Sequence, residues 1–190
     1  MNHYRNHPYA CFVQSVKLLS SVDCELTNVT GTHEDGKNHD DVIVFWNHGQ
    51  IKNYFPQGIT KTFKNVQKIY FKQVNLSTIS KYDLRQFGSQ LTAFWVGFNN
   101  LEAIESDLFE FTPNIDWMDL DDNKIKYVGK GALSSLKKLK SLFFPGNPCH
   151  SGQTPDASIT DFVASIEEDC TDLEALERQR KLSPITARDA

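Results

Sequence analysis

The chain has 190 residues, 39% of them hydrophobic and thirteen of them Phe, which is enough to bury one substantial core in one domain. Its formal net charge of -4 argues against a generic nucleic-acid or anionic-membrane surface. No apolar run approaches the length of a membrane span.

Residues 1–8 are polar, rich in His and Asn, and read as a loose N-terminus. The apolar segment that follows, YACFVQSVKLLSSV, contains Gln14 and Lys17 behind a polar lead, so it is not read as a signal peptide. If the chain is exported, its leader precedes this sequence. ACFVQSV and CELTNV instead predict two strands that close as a hairpin, with residues 9–40 forming an N-terminal cap. A cap is needed because the first strand of a coiled architecture otherwise exposes bare backbone and core. The stretch GTHEDGKNHDD, residues 31–41, offers ligand types suited to a metal in His33, Glu34, Asp35, His39, Asp40 and Asp41. Its Gly and Asn content reads as a solvated loop, and no metal site is assigned.

Between residues 41 and 149 one pattern recurs. LTAFWVGFNNLEAI, IDWMDLDDNKIKYV and LKSLFFPGNPC begin at Leu91, Ile115 and Leu139, 24 residues apart, and each carries Asn at its ninth place: Asn99, Asn123 and Asn147. Two looser copies precede them, from Val66 and from Asp41, at steps of 25. A fixed period in the twenties with the form LxxLxLxxNxL is the signature of a leucine-rich repeat. Each turn then adds one short strand to a parallel sheet, with places four and six inward. That gives two apolar ladders, Val44, Ile69, Phe94, Met118, Leu142 and Trp46, Phe71, Val96, Leu120, Phe144. The Asn amide can bond backbone of its own and the adjoining turn. Gly49 and Val74 stand in its place in the first two turns, so the amide ladder is weak there. The convex returns, such as AIESDLFEFTPN and YVGKGALSSLKK, are too short and mixed for long helices and predict turns and brief 3₁₀ or single-turn pieces with Leu108, Phe109, Leu133 and Leu136 inward.

After Cys149 the period stops. Ser158 or Asp156 can cap a helix whose Ile159, Phe162, Val163, Ile166 and Cys170 share one face, giving a C-terminal cap over residues 150–170. Residues 171–190 remain helix-compatible but highly charged until Pro184, a solvated or frayed tail in which Leu173, Leu176 and Leu182 offer a short seam to a partner helix. Four cysteines allow three pairings, but the coil sets its ends several strand spacings of ~4.8 Å apart. A disulfide needs Cα atoms within about 7 Å, so Cys11 pairs with Cys24 and Cys149 with Cys170. Four reduced thiols in a cytosolic protein are the alternative. The sequons at Asn28 and Asn75 point, like the disulfides, to secretion and glycosylation.

The odd places face the hollow of the sheet, and place five reads Phe45, Tyr70, Trp95, Asp119, Phe143. Ile43 and Trp117 at place three and Phe98 at place eight widen this aromatic strip. Lys68 and Lys72 flank Tyr70, whereas Asp116, Asp119, Asp121 and Asp122 crowd the rung of Trp117. Apolar patches of more than a few hundred Å² usually mark interaction sites, and each large ring can contribute about 150–250 Å². The acidic wall disfavours nucleic acid. Aromatic self-packing, a solvated acidic rung, and calcium on those carboxylates are the competing readings.

YACFV, GTHEDGK, and GNPC followed by a helix ending at Cys170 resemble the extracellular leucine-rich repeat family, and more closely its small secreted insect members. The resemblance spans about residues 9–170 and implies a non-catalytic, secreted recognition module of the kind linked to innate immunity. It supplies no fixed functional residues. No GxSxG elbow, P-loop, HExxH or spaced metal set is present, and neither His48 nor His150 has a nucleophile or orienting partner visible in sequence, so no enzyme activity and no cofactor is assigned. The expected fold is an α/β right-handed leucine-rich repeat solenoid with a parallel concave sheet, an N-terminal β-hairpin cap and a C-terminal helical cap. Its partner is a protein, a peptide or a flat aromatic-stacking ligand on Ile43, Phe45, Lys68, Tyr70, Lys72, Trp95, Phe98, Trp117, Asp119, Asp121 and Phe143, with no nucleic acid and no membrane. The alternative is a structural protein that pairs with itself as a homodimer, through the strip or the C-terminal helix.

Overall fold

The structure is a computed structural model, and it describes residues 10–12, 15–18, 26–30, 33, 35–48, 55–150 and 158–171, the first three segments as backbone alone. In chain order the elements are β1 (Ala10–Phe12), β2 (Ser15–Leu18), β3 (Leu26–Thr30), β4 (Val44–His48), α1 (Ile59–Thr62), β5 (Lys68–Lys72), α2 (Lys81–Arg85), β6 (Ala93–Trp95), β7 (Ala103–Ile104), β8 (Trp117–Asp119), β9 (Tyr127–Val128), β10 (Ser141–Phe143) and α3 (Ile159–Asp169). Two 3₁₀ turns, at His39–Asp41 and Gly88–Gln90, complete the set.

Each repeat contributes one strand to a parallel sheet ordered β1-β4-β5-β6-β8-β10. Parallel strands need a crossover, and each return supplies it within one period. The returns are α1, α2 and turns, as short as their composition predicts, and they carry Leu108, Phe109, Leu133 and Leu136 into the core. A two-stranded parallel ladder of β7 and β9 lies beyond the Asn corners. The chain is thus an α/β leucine-rich repeat solenoid with a concave parallel sheet.

From the second turn onward both ladders point inward: Ile69, Phe94, Met118 and Leu142 at place four and Phe71, Val96, Leu120 and Phe144 at place six are fully buried. The first turn differs. Phe45 pairs with Ile69 and Asn47 with Phe71, so Phe45 and Asn47 point inward while Val44, Trp46 and His48 face outward. The turn therefore starts at Val42, which is buried, and its step to Val66 is 24 rather than 25. A one-residue slip moves every side chain to the other face.

The N-terminal segment also departs from expectation. β1 joins the large sheet as a parallel first strand, with Ala10 opposite Val44, and the hairpin is formed by β2 and β3 alone. Cys24 lies outside the described residues, and with it the Cys11–Cys24 bond. At the other end, Ser158 accepts from the Asp161 amide, and Phe162, Val163, Ile166 and Cys170 bury one face of α3. Cys149 and Cys170 form the second disulfide. The Glu167 carboxylate accepts from the Gly131, Leu133 and Ser134 amides and the Ser134 hydroxyl, which ties α3 to the fourth return. Among the described residues no helix is long and apolar enough to cross a membrane. Residues 172–190, the charged tail, lie outside the described residues.

Candidate ligand-binding face

Alternation along the strands sets three outward rows. Place three reads Val44, Lys68, Ala93, Trp117, Ser141, and place five reads Trp46, Tyr70, Trp95, Asp119, Phe143. Place seven continues as His48, Lys72, Gly97, Asp121, Pro145. Phe45 is therefore excluded from the face by its burial, and Ile43 precedes β4 on Phe45's parity. Trp46, assigned to the interior by the sequence frame, takes Phe45's place beside Tyr70. No signal in the local sequence separates the two, because Val42 to Trp46 is apolar throughout and satisfies either parity.

The rings form a connected series. Tyr70 and Trp95 stack with centroids 3.7 Å apart at 14°, and Trp117 lies 5.3 Å from Trp95 and 6.3 Å from Phe143. Asp119 interrupts place five, but Trp117 reaches across from place three and carries the series past it. Stacking covers part of Tyr70, Trp95 and Phe143, leaving each half-buried, while Trp117 stays 44% exposed. Self-packing and exposure thus coexist: ring contacts order the strip, worth about 0.5–1.5 kcal/mol a pair, without closing it.

Phe98 sits at place eight with φ of 57°, a conformation L-residues rarely adopt. It is not a local peculiarity, since Gln73, Asp122 and Gly146 at the same place have φ of 55°, 45° and 76°. The left-handed bend belongs to the repeat. In turn three it presents a ring, and the Lys72 ammonium lies 4.0 Å from its centroid.

The charged ends are built differently. Asp116 pairs with Lys140 at 3.3 Å, but Asp119 and Asp121 make no ion pair among the described residues. Asp119 accepts from the Asp121 amide at 2.9 Å, and the Asp121 carboxyl occupies the space a side chain at Gly97 would take. One Asp121 oxygen is buried without a hydrogen-bond partner among the described residues. Burial first, then the hydrogen bond and charge of Asp119, push the Asp121 carboxyl up to about 7, against a weaker opposing pull from Lys72.

No group of three metal-ligating side chains is gathered among the described residues. In the 31–41 loop His33 and His39 bond each other at 2.7 Å. Both histidines without a sequence-visible partner have one in space: His48 bonds Gln73 and His150 bonds Asp169, each at 2.7 Å. His150 also packs on Phe144 and Phe162, which makes it part of the C-terminal cap. Asn75, in the second sequon, is exposed and accepts from the Asn100 amide.

Known proteins place this architecture in one class. Residues 89–148 match the family model described as leucine rich repeat, and the chain has the leucine-rich repeat fold. Among solved structures, it is similar to the leucine-rich repeat domain of APL1 at a TM-score of 0.50 and 17% identity. The match covers 66% of this chain and 34% of that one, so the likeness concerns the fold and about a third of the APL1 domain's length. No curated protein matches the chain.

Proposed function

We propose that the protein is a secreted, non-catalytic recognition module that binds a protein or peptide on the concave face of its sheet. The observation that carries this is the connected series Tyr70, Trp95, Trp117 and Phe143 on the side of the sheet the core does not need. An outward face is stable with polar residues, so large rings there are not required by folding. The Cys149–Cys170 bond favours an oxidising compartment, and exposed Asn75 suits glycosylation. The resemblance to small secreted insect proteins adds an innate-immune setting to the reading.

The Tyr70→Ala/Trp95→Ala variant should fold with the wild-type circular dichroism spectrum and fail to hold the partner that wild-type protein retains from source fluid. Unchanged retention by the double variant would refute the strip as the binding face. A wild-type dimer that the same variant converts to monomer, followed by mass over a concentration series, would replace it with self-association.

A further inference from the structure

The concave face is charged with opposite sign at two rungs separated by one neutral rung. Lys68 and Lys72 come from β5, Asp119 and Asp121 from β8 and the bend after it, and β6 between them presents Ala93, Trp95 and Gly97. Two strand spacings set the charged rungs roughly 10 Å apart. None of these four side chains forms an ion pair among the described residues, whereas Lys81, Asp116 and Lys140 elsewhere do. Apart from the contact of Lys72 with Phe98 and its weak pull on Asp121, these charges stand on the outward rows beside an aromatic centre and are complementary to an arrangement of the reverse sign.

We propose that the face selects a partner segment carrying an acidic and a basic side chain about 10 Å apart on either side of an apolar centre, the acid at Lys68 and Lys72 and the base at Asp119 and Asp121. This deepens the binding reading above and rests on it. The apolar centre stacks on Tyr70, Trp95 and Trp117, of which Trp117 is the most exposed. Phe98 holds the Lys72 ammonium at 4.0 Å, on the side of the rung nearer the acidic end.

The acidic end also has a graded charge. The groups facing Asp121 are Asp119 from β8, Asp122 from the same bend and Lys72 from β5, while β6 contributes only Gly97 and its backbone. Because Asp121 titrates near 7, its carboxyl passes from a mostly neutral state in mildly acid solution to a second, ionised state in mildly alkaline solution. A docked ammonium or guanidinium favours the second state, so a basic partner is held more tightly as pH rises.

The test is to pan a random dodecapeptide library on wild-type protein and on three variants: Asp119→Asn/Asp121→Asn, Lys68→Gln/Lys72→Gln and Tyr70→Ala/Trp95→Ala. Wild-type protein should enrich peptides with an acid and a base flanking aromatic or aliphatic residues. The first variant should lose the preference for Lys or Arg, the second the preference for Asp or Glu, and both should keep the apolar centre. Binding of the enriched peptides to wild-type protein should strengthen about threefold between roughly pH 5.5 and 8, the scale of one part-exposed charge, and the first variant should be flat. Apolar peptides enriched without charge pairing would overturn this proposal and leave the aromatic strip standing. No enrichment beyond that of Tyr70→Ala/Trp95→Ala would overturn both.

Discussion

Turns three to five and turns one and two solve the same problem with different chemistry. In the later turns a buried Asn satisfies the backbone of the corner. Asn99 accepts from the Val74 and Leu76 amides and donates to the Phe71, Val96 and Gly97 carbonyls, and Asn123 and Asn147 repeat the arrangement one turn on each time. In the second turn Val74 occupies that place and supplies only a buried apolar side chain. The early core relies instead on rings: Phe45 lies 5.8 Å from Phe71 and 6.0 Å from Phe63, and Phe55 packs edge-on against Phe71 and Phe87. An amide ladder fixes register through directional bonds, while ring packing gains area without choosing a register as sharply. One solenoid tolerates both, provided the amide of the third turn reaches back to bond the second.

Breaking that reach should have the largest effect. Asn99→Val introduces an apolar side chain of the kind turn two already carries, yet it removes the partner of the Val74 and Leu76 amides and of the Phe71 and Gly97 carbonyls in a site that is 6% exposed, while the Val96 carbonyl keeps Asn123. Each stranded buried group costs about 1–3 kcal/mol, and local relaxation recovers part of the total, so a loss of about 4 kcal/mol is expected in urea denaturation. Phe71→Ala in the ring-packed half should cost about 3–5 kcal/mol by cavity formation. The two should differ in kind: hydrogen exchange at Val74 and Leu76 should accelerate far more in Asn99→Val. Equal exchange in both variants would show that the amide is not what secures the second corner.

Next in size is the clasp between the last return and its cap. Glu167 accepts four hydrogen bonds from residues 131–134, three of them backbone amides. Glu167→Gln keeps one acceptor oxygen and loses the charge, so a cost of about 2 kcal/mol is expected, with the Cys149–Cys170 bond intact. The late turns have this directional clasp at their end, and the variant measures how far their stability depends on it. A melting temperature within a degree or so of wild type would mean that the disulfide and the buried face of α3 suffice.

The same contrast explains what could be read in advance. Turns three to five were legible because Asn at place nine leaves only one frame in which Phe94, Met118 and Leu142 all point inward. Turn one was not, because five apolar residues in succession, Val42 to Trp46, fit a frame shifted by one. Phe45 and Trp46 consequently exchange faces. The aromatic strip survives the exchange, since Trp46 is as large as the ring it replaces on the outer side. β1 was hidden for another reason: ACF and SVKL form one apolar segment in sequence, and only three-dimensional pairing assigns the first to the large sheet and the second to the hairpin. The left-handed bend at place eight carries Gln73, Phe98, Asp122 and Gly146, residue types with no common turn preference, so composition offers no cue.

Asp121 was legible as an acidic site residue but not as a titrating one, because its environment comes from Gly97 a turn earlier. Its carboxyl sits at about 7 in the folded protein against an ordinary value of 3.8, so the native state keeps a proton that the unfolded chain has released. The associated stability is fully present below about pH 4 and is lost as pH rises through 7. The full shift would correspond to about 4 kcal/mol, but the carboxyl is part-exposed and solvent screening reduces this to about 1–2 kcal/mol. Asp121→Asn keeps a donor toward Asp119 and cannot ionise. The variant should therefore match wild type near pH 4 and exceed it by about 1–2 kcal/mol near pH 8, measured by urea denaturation across that range. Parallel stability curves for the two proteins would place the Asp121 carboxyl in open solvent, and the graded charge of the acidic rung would go with it.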